Sequence, residues 1–294
     1  MRARIRVAAF PFIVVGVFLV AFLAGQVIDL DEPTPAPAHQ HDASSAEAEA
    51  DEFEVEVVGD AAAPAGRRTL RFEVLDGDGK AVTAYDERHE RDLHLILVDK
   101  LDPRIYQHVH PKLGDDGVWT IALDLGPGSW RMYADTQPSG AEPVVLTADL
   151  EAVGSRPPHD PLASPNVEAT VDGFTVGLAE AGNMLSFTVE RGGRPVQLEP
   201  YLGAGGHLVA IRAEDLDYLH AHPMEGTDQP IGFHVEFDEP GRYVLHFDFQ
   251  VEGTVHSATF VYEKYAEAST APEGDMGDHD MGDDDMGEMS GHDH

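Results

Sequence analysis

An internal repeat constrains the fold of this chain more than any other feature of its sequence. Both halves contain the pattern Tyr-x-His-x-His-Pro, and the segments on either side of the pattern also match. The paired positions are Tyr106, His108, His110 and Pro111 in the first half and Tyr218, His220, His222 and Pro223 in the second. Because self-similarity at a fixed spacing indicates repeated structural units, the chain is predicted to contain two copies of one domain.

Short runs of alternating apolar and polar residues surround each copy of the pattern. They occur at residues 53–57 and 70–74, and again at residues 174–178 and 185–189. A period of two in runs of this length is typical of β-strands, and turn signals separate the runs. Each unit has seven or so strand candidates. We therefore predict an all-β fold of two tandem sandwiches, immunoglobulin-like or cupredoxin-like.

The N-terminus has the pattern of a membrane-spanning segment. Arg2, Arg4 and Arg6 precede an uncharged, largely apolar run at positions 7–28. As a helix this run would be about 33 Å long, which is enough to cross a bilayer. By the positive-inside rule, residues 1–28 are predicted to anchor the protein in the cell membrane with its bulk outside the cytoplasm. The alternative is a cleaved signal peptide, which would give a secreted protein.

Composition divides the rest of the chain into folded and unfolded parts. Segments rich in Pro, Ala, Asp and Glu have too little apolar content to fold alone. The predicted order is a disordered stalk at residues 29–51, a first sandwich at 52–153, a linker at 154–166, a second sandwich at 167–264 and a disordered tail at 265–294.

The charge balance favours cations as ligands. The chain has 54 acidic and 19 basic residues, so it should repel the phosphates of nucleic acid, which we exclude as a partner. It has no cysteine, so any metal ion must be held by histidine, methionine or carboxylate side chains.

The repeated histidines are candidate metal ligands. Residues two apart in a strand face the same side, so two imidazoles of each His-x-His pair can converge if a neighbouring strand supplies a third ligand. A histidine on the preceding strand candidate is suitably placed in both repeats. The candidate sets are His94, His108 and His110 in the first repeat and His207, His220 and His222 in the second.

The second repeat is the preferred site because it offers additional donors. Met224 directly follows its His-x-His-Pro, and later strand candidates carry His234, His246 and His256, which have no histidine counterparts in the first repeat. Each of these later histidines, taken alone, is expected at the surface. The alternative for all the repeated histidines is a structural role, with hydrogen bonds to the backbone or to a tyrosine hydroxyl.

The C-terminal tail carries a second metal-binding pattern. Its methionines lie among Gly and Asp, where no core can form, so packing does not explain them. Thioethers suit Cu(I), and imidazoles suit Cu(II), Ni(II) or Zn(II), so copper is the predicted metal, with zinc or nickel as alternatives. A solvating or calcium-binding tail also stays open. The candidate ligands are Met276, His279, Met281, Met286, Met289, His292 and His294.

Residues 201–223, with their Tyr-Leu-Gly-Ala and Tyr-x-His-x-His-Pro motifs, resemble a family of uncharacterised actinobacterial membrane-anchored or secreted proteins labelled heavy-metal-binding-domain proteins. The resemblance covers roughly residues 5–263 and implies extracytoplasmic metal handling, without an established reaction. The tail is similar in composition to Met/His-rich segments of periplasmic copper-resistance proteins.

These patterns together predict a membrane-anchored protein that binds copper and buffers or delivers it. One alternative is a module that binds another envelope protein and has structural histidines. Another is a zinc- or copper-dependent enzyme, because a His-x-His pair with a third histidine is a ligand set of some metalloenzymes. The sequence shows no nucleophile elbow or phosphate-binding loop, so no catalytic residue is assigned.

Overall fold

The structure is a computed structural model that describes residues 52–156, 158, 164–224, 226–237 and 239–265. All the regular secondary structure in these ranges is β-strand, which confirms the all-β prediction for the described part. Within it, no helix has the length and apolar character needed to cross a membrane. The predicted anchor, the stalk and nearly all of the tail lie outside the described residues.

Nine strands form the first domain. A four-stranded sheet has the order β1-β3-β7-β6, and a five-stranded sheet has the order β2-β9-β8-β4-β5. The two sheets enclose a core around Phe72, Trp119 and Trp130, so the domain is a sandwich. Its strands are β1 (Glu54–Val57), β2 (Ala62–Pro64), β3 (Gly66–Leu75), β4 (Leu93–Asp99), β5 (Tyr106–Val109), β6 (Lys112–Leu113), β7 (Val118–Leu125), β8 (Gly128–Thr136) and β9 (Val144–Val153).

Nine further strands form the second domain. Its sheets have the orders β10-β11-β12-β16-β15 and β14-β13-β17-β18, and Phe187, Phe233 and Phe247 lie in the core between them. Its strands are β10 (Glu168–Val171), β11 (Phe174–Ala181), β12 (Met184–Glu190), β13 (His207–Arg212), β14 (Tyr218–His220), β15 (His222–Pro223), β16 (Ile231–His234), β17 (Gly241–Val251) and β18 (Thr254–Lys264).

The strand orders of the two domains correspond. The order β1-β3-β7-β6 matches β11-β12-β16-β15, and the order β9-β8-β4-β5 matches β18-β17-β13-β14. Each domain adds one strand of its own, β2 beside β9 and β10 beside β11. The structure thus has two copies of one sandwich, with nine strands each rather than the seven or so expected. The choice between immunoglobulin-like and cupredoxin-like stays a prediction.

The Tyr-x-His-x-His-Pro segment is not the single strand that the sequence suggested. In the first domain, β5 pairs with β4 in one sheet, and β6 pairs with β7 in the other. The second domain divides the segment in the same way, between β14 and β15. The chain crosses between the sheets at His110 and Pro111 in the first domain and at Ala221 in the second. Pro111 lacks the N–H group that a continuing ladder needs, so it ends the pairing with β4 in the first domain.

Strand β4 is buried on both of its faces, and this explains its nearly continuous apolar sequence. Leu95 and Leu97 point into the core of their own sandwich. Ile96 and Val98 point the other way and pack against Val209 and other residues of the second domain. The sheets that contain β4 and β13 therefore dock face to face and bury a third apolar cluster between the domains.

Reciprocal polar contacts accompany this docking. The hydroxyl of Tyr106 donates to Asp248 Oδ2 at 3.1 Å, and the hydroxyl of Tyr218 donates to Asp135 Oδ2 at 3.2 Å. Because each bond joins a tyrosine of one domain to an aspartate of the other, the two halves are related by an approximate two-fold symmetry across the interface.

His246 takes part in the same contact, and the expectation that it lies at the surface is wrong. Its side chain is fully buried, with its ring stacked 3.8 Å from that of Tyr106 and its Nε2 atom 2.9 Å from the carbonyl oxygen of Pro103. Tyr133 occupies the equivalent position in the first domain, stacks on Tyr218 and donates to a backbone carbonyl. In both domains a ring therefore fills this part of the interface. Burial lowers the pKa of His246 from 6.5 to about 4.

Lowering the pH should destabilise the native state through His246. The unfolded state takes up the proton near pH 6.5 and the native state only near pH 4, so stability is complete above pH 6.5 and is lost as the pH falls toward 4. The loss should approach roughly 3 kcal/mol. His246→Tyr, which introduces the residue type found at the matching position of the first domain, should remove this component.

Denaturant unfolding of the wild type and the variant at pH 7 and pH 4.5 measures the difference, since all other titrating groups are shared. Equal losses of stability in the two proteins would contradict the assignment.

Candidate metal centre

A cluster of histidines lies in the middle of the interface between the domains. His94 on β4 and His207 on β13 occupy equivalent positions, and their rings stack in parallel with centroids 5.4 Å apart. Both side chains are almost fully buried. Because each imidazole stands on a sheet face that meets the other domain, the docking brings one histidine of each predicted set together.

His108 and His110 complete the cluster from β5 and the residues that follow it. His94 Nδ1 lies 3.0 Å from His108 Nε2, and the ring centroid of His110 lies 5.1 Å from that of His94 and 4.9 Å from that of His108. One nitrogen of each of these three side chains lies within 4.8 Å of the other two. The first predicted ligand set therefore converges.

Of the second predicted set, the structure describes only the side chain of His207, so the convergence of this set stays a prediction. His207 joins the shared cluster, where it forms a group with His108 and Asp248 within the same limit of 4.8 Å. The backbones of His220 and His222 lie in β14 and β15, but their side chains are outside the described part. The tail ligands from Met276 onward are outside it as well.

The remaining sequence candidates lie elsewhere in the second domain. His256 on β18 approaches Asp172 with its Nδ1 atom at 2.8 Å and packs against Phe174. His234 lies on β16, at the sheet that faces away from the first domain. Neither belongs to the histidine groups that could hold an ion.

Hydrogen bonds determine which ring nitrogens carry protons. His94 Nε2 lies 3.0 Å from the carbonyl oxygen of Arg88, and His108 Nδ1 lies 2.9 Å from Asp248 Oδ2. Both oxygens accept, so both nitrogens donate. In neutral rings, His94 Nδ1 and His108 Nε2 then point their lone pairs at each other across 3.0 Å. Such a contact is favourable only if a proton or a metal ion lies there.

Burial makes a proton on His94 or His110 unfavourable. Desolvation, with neighbouring His108 as the second cause, lowers the pKa of His94 to about 4 and that of His110 to about 3. His110 Nε2 is moreover buried without a hydrogen-bond partner in the described part of the chain. At neutral pH these two rings are uncharged, which is the form that binds metal ions.

A tight turn supports the cluster from one side. Arg88 and Arg91 pair through two backbone hydrogen bonds, and the two residues between them, His89 and Glu90, have positive φ values of 48° and 62°. This conformation is uncommon for residues other than glycine and often accompanies functional sites. It holds the Arg88 carbonyl against His94 and brings the ring of His89 within 6.1 Å of the rings of both His94 and His207.

Two matches to one family model cover most of the chain. A family described as a domain of unknown function, DUF8832, matches residues 46–152 and again residues 167–265. The chain belongs to the DUF8832 family. Each match falls on one sandwich, so the two DUF8832 domains agree with the duplication seen in the strand orders.

Other comparisons add little to this assignment. No curated protein matches the chain. Among solved structures it is similar to the N-terminal Ig1-2 module of the Drosophila receptor protein tyrosine phosphatase DLAR, at 7% identity, covering 73% of this chain and 100% of that chain with a TM-score of 0.20. This likeness is too distant to bear on the site. The resemblance to heavy-metal-binding-domain proteins stays a prediction.

Sequence reasoning missed two members of the cluster. Asp248 looked uninformative in so acidic a chain, yet it aligns with Asp135 between the two DUF8832 domains, and both side chains are buried. The matched spacing of Tyr133 to Asp135 and His246 to Asp248 was the available signal. His89 has no such signal, because only the turn brings it to the site.

The proton positions can be tested directly in metal-free protein. His94 should be the Nε2–H tautomer and His108 should carry a proton on Nδ1, because their acceptors are the Arg88 carbonyl and Asp248. Long-range ¹H–¹⁵N correlation spectra of histidine side chains at pH 7 distinguish these forms. A His94 ring protonated on Nδ1 alone would contradict the hydrogen-bond assignment.

Proposed function

We propose that this protein is an extracytoplasmic, membrane-anchored metal-binding protein that holds copper between its two domains and buffers or delivers it. The observation that carries the proposal is the 3.0 Å contact between His94 Nδ1 and His108 Nε2, whose other ring nitrogens are already committed to oxygen acceptors. Two nitrogens bound to one ion at about 2.0–2.1 Å in tetrahedral geometry lie about 3.3 Å apart, close to this distance.

The surroundings of the two imidazoles support ligation. In protein metal sites, a ligating histidine usually donates its second N–H group to a carboxylate or a backbone carbonyl, which fixes the ring and increases its basicity. Asp248 plays this part for His108, and the Arg88 carbonyl plays it for His94. His110 supplies a third nitrogen within reach.

The charges across the interface also support a cation at this place. Asp135 is balanced by Arg88, whose guanidinium lies 3.3 Å from it. Its counterpart Asp248 contacts Tyr106 and His108 instead of a lysine or arginine in the described part of the chain. A buried carboxylate is costly unless it is compensated, and a metal ion bound to His108 would provide the compensating charge.

Copper is the proposed ion because of the donor set. Neutral imidazoles suit Cu(II), Zn(II) and Ni(II), and among divalent ions Cu(II) binds such sites most strongly. The chain lacks cysteine, and its Met/His-rich tail offers donors for both oxidation states of copper. Zinc and nickel are the alternative ions.

The 2.9 Å contact of His108 with Asp248 is also compatible with a different function. A proton shared between His94 Nδ1 and His108 Nε2 would satisfy both nitrogens, and the cluster would then need no metal. The histidines would then be structural, and the protein would be a module that binds another envelope protein.

Removing two ligands should abolish the site. In the full-length chain with its tail His and Met residues replaced by alanine, His94→Ala/His108→Ala should weaken Cu(II) or Zn(II) affinity by more than about 100-fold. His256→Ala, which removes a histidine that contacts Asp172 instead, is the matched control and should leave affinity unchanged. Competition with a chromophoric chelator provides the measurement. Equal affinity of the double variant and the control would show that the cluster is not the metal site.

Asp248→Asn tests the carboxylate that orients His108. Loss of this charge should weaken metal affinity by about 10- to 100-fold, the range typical of groups that support a ligand. Asp135→Asn is the matched control, because it weakens the symmetry-related bond to Tyr218 without touching His108. Titration of both variants by the same competition assay gives the comparison. Similar losses in the two variants would mean that the effect comes from domain docking alone.

A further inference from the structure

Two methionines converge on the outer face of the second domain, away from the histidine cluster. Met184 begins β12 and Met224 follows β15, and both line a shallow surface pocket together with Ser186, Asp228 and Ile231. Met224 is 54% exposed. A single exposed apolar side chain is common on a protein surface, so the shared position of the two methionines matters more than the exposure of either one.

Gly232 leaves the space that the two thioether groups occupy. A Cβ atom built on this residue would lie 2.9 Å from the sulfur of Met224 and 3.3 Å from the terminal methyl carbon of Met184. Both methionine side chains therefore end over the same backbone position on β16. Any larger residue at position 232 would push them away from it.

A nitrogen donor stands on the same face. His234 is two residues after Gly232 on β16, so the two share a side of the sheet, and Met184 lies directly opposite His234 in the β12–β16 pair. Side chains directly opposite in an antiparallel pair have Cβ atoms about 4.5–5.5 Å apart. The inward-facing neighbours Leu185 and Phe233 are buried, which fixes the outward direction of this set.

We infer that Met184, Met224 and His234 form a second metal site, which takes a soft monovalent cation, Cu(I) or its analogue Ag(I). Thioether sulfur is a soft ligand that selects Cu(I) over harder ions, and an imidazole is compatible with the same ion. The donors lie at the surface, so the ion can be exchanged with solvent or with another protein. The site shares no residue with the histidine cluster and does not depend on it.

The probe for this site is Ag(I), which is diamagnetic and does not change oxidation state in air. Full-length chain carrying ¹³C-methyl methionine is titrated with silver nitrate in chloride-free buffer, and each methionine is followed by its own methyl signal. The methyl signals of Met184 and Met224 should shift together, with a change in the ¹⁵N signals of His234. Per-residue signals separate this site from methionines elsewhere in the chain.

Three variants sharpen the test. Met184→Leu/Met224→Leu keeps the volume and the apolar surface but removes both sulfurs, so the shift of His234 should disappear. Gly232→Ala keeps every donor but fills the space between them, and it should weaken Ag(I) binding by about tenfold. Ser186→Ala, which lines the same pocket without a soft donor, should bind like the wild type.

Three results would contradict a soft-metal site at Met184, Met224 and His234. If the signals of Met184 and Met224 do not move while other methionines shift, the site does not exist. If Zn(II) shifts them as strongly as Ag(I), the donors are not selective for a soft ion, and the inference is wrong. If the signals shift with protein concentration instead of with silver, the methionines form an apolar contact surface.

Discussion

The two domains dock around two buried carboxylates, each of which accepts a hydrogen bond from a tyrosine of the other domain, Tyr106 to Asp248 and Tyr218 to Asp135. Removing a carboxylate from water costs several kcal/mol unless polar partners replace the water. The tyrosine hydroxyls offset part of this desolvation cost, and they reach the aspartates only when the β4 and β13 sheets lie face to face. Burial of the apolar cluster between the domains favours this docking, and the docking holds the histidines together.

Duplication gave this interface its approximate symmetry, and the site lies where the symmetry is broken. Asp135 has a permanently charged partner, Arg88, whereas Asp248 has His108. Likewise Tyr133 stacks on its partner tyrosine where the second domain uses His246. The charge of Asp135 is thus neutralised by an arginine of the chain, whereas Asp248 is buried beside imidazole nitrogens. We ascribe the proposed metal binding to the surroundings of Asp248.

The sequence predicted the parts of this arrangement that depend on local pattern. Period-two alternation indicated the strands, the matched motifs indicated duplication, and the His-x-His spacing with His94 indicated a convergent ligand set. Docking could not be predicted in the same way, because the outward face of β4 looks like the core face of any buried strand. For that reason the stacking of His207 on His94 was not predicted, His246 was assigned to the surface, and Asp248 was given no role. The anchor, the stalk and the tail stay predictions.

The most direct test of a metal ion shared between the domains is anomalous diffraction from crystals grown with Cu(II) or Zn(II). We expect a peak at bonding distance, about 2.0–2.1 Å for zinc, from both His94 Nδ1 and His108 Nε2, with the Asp248 hydrogen bond retained. A structure with a metal ion elsewhere, and with His94 and His108 still 3.0 Å apart and joined only by a proton, would contradict it.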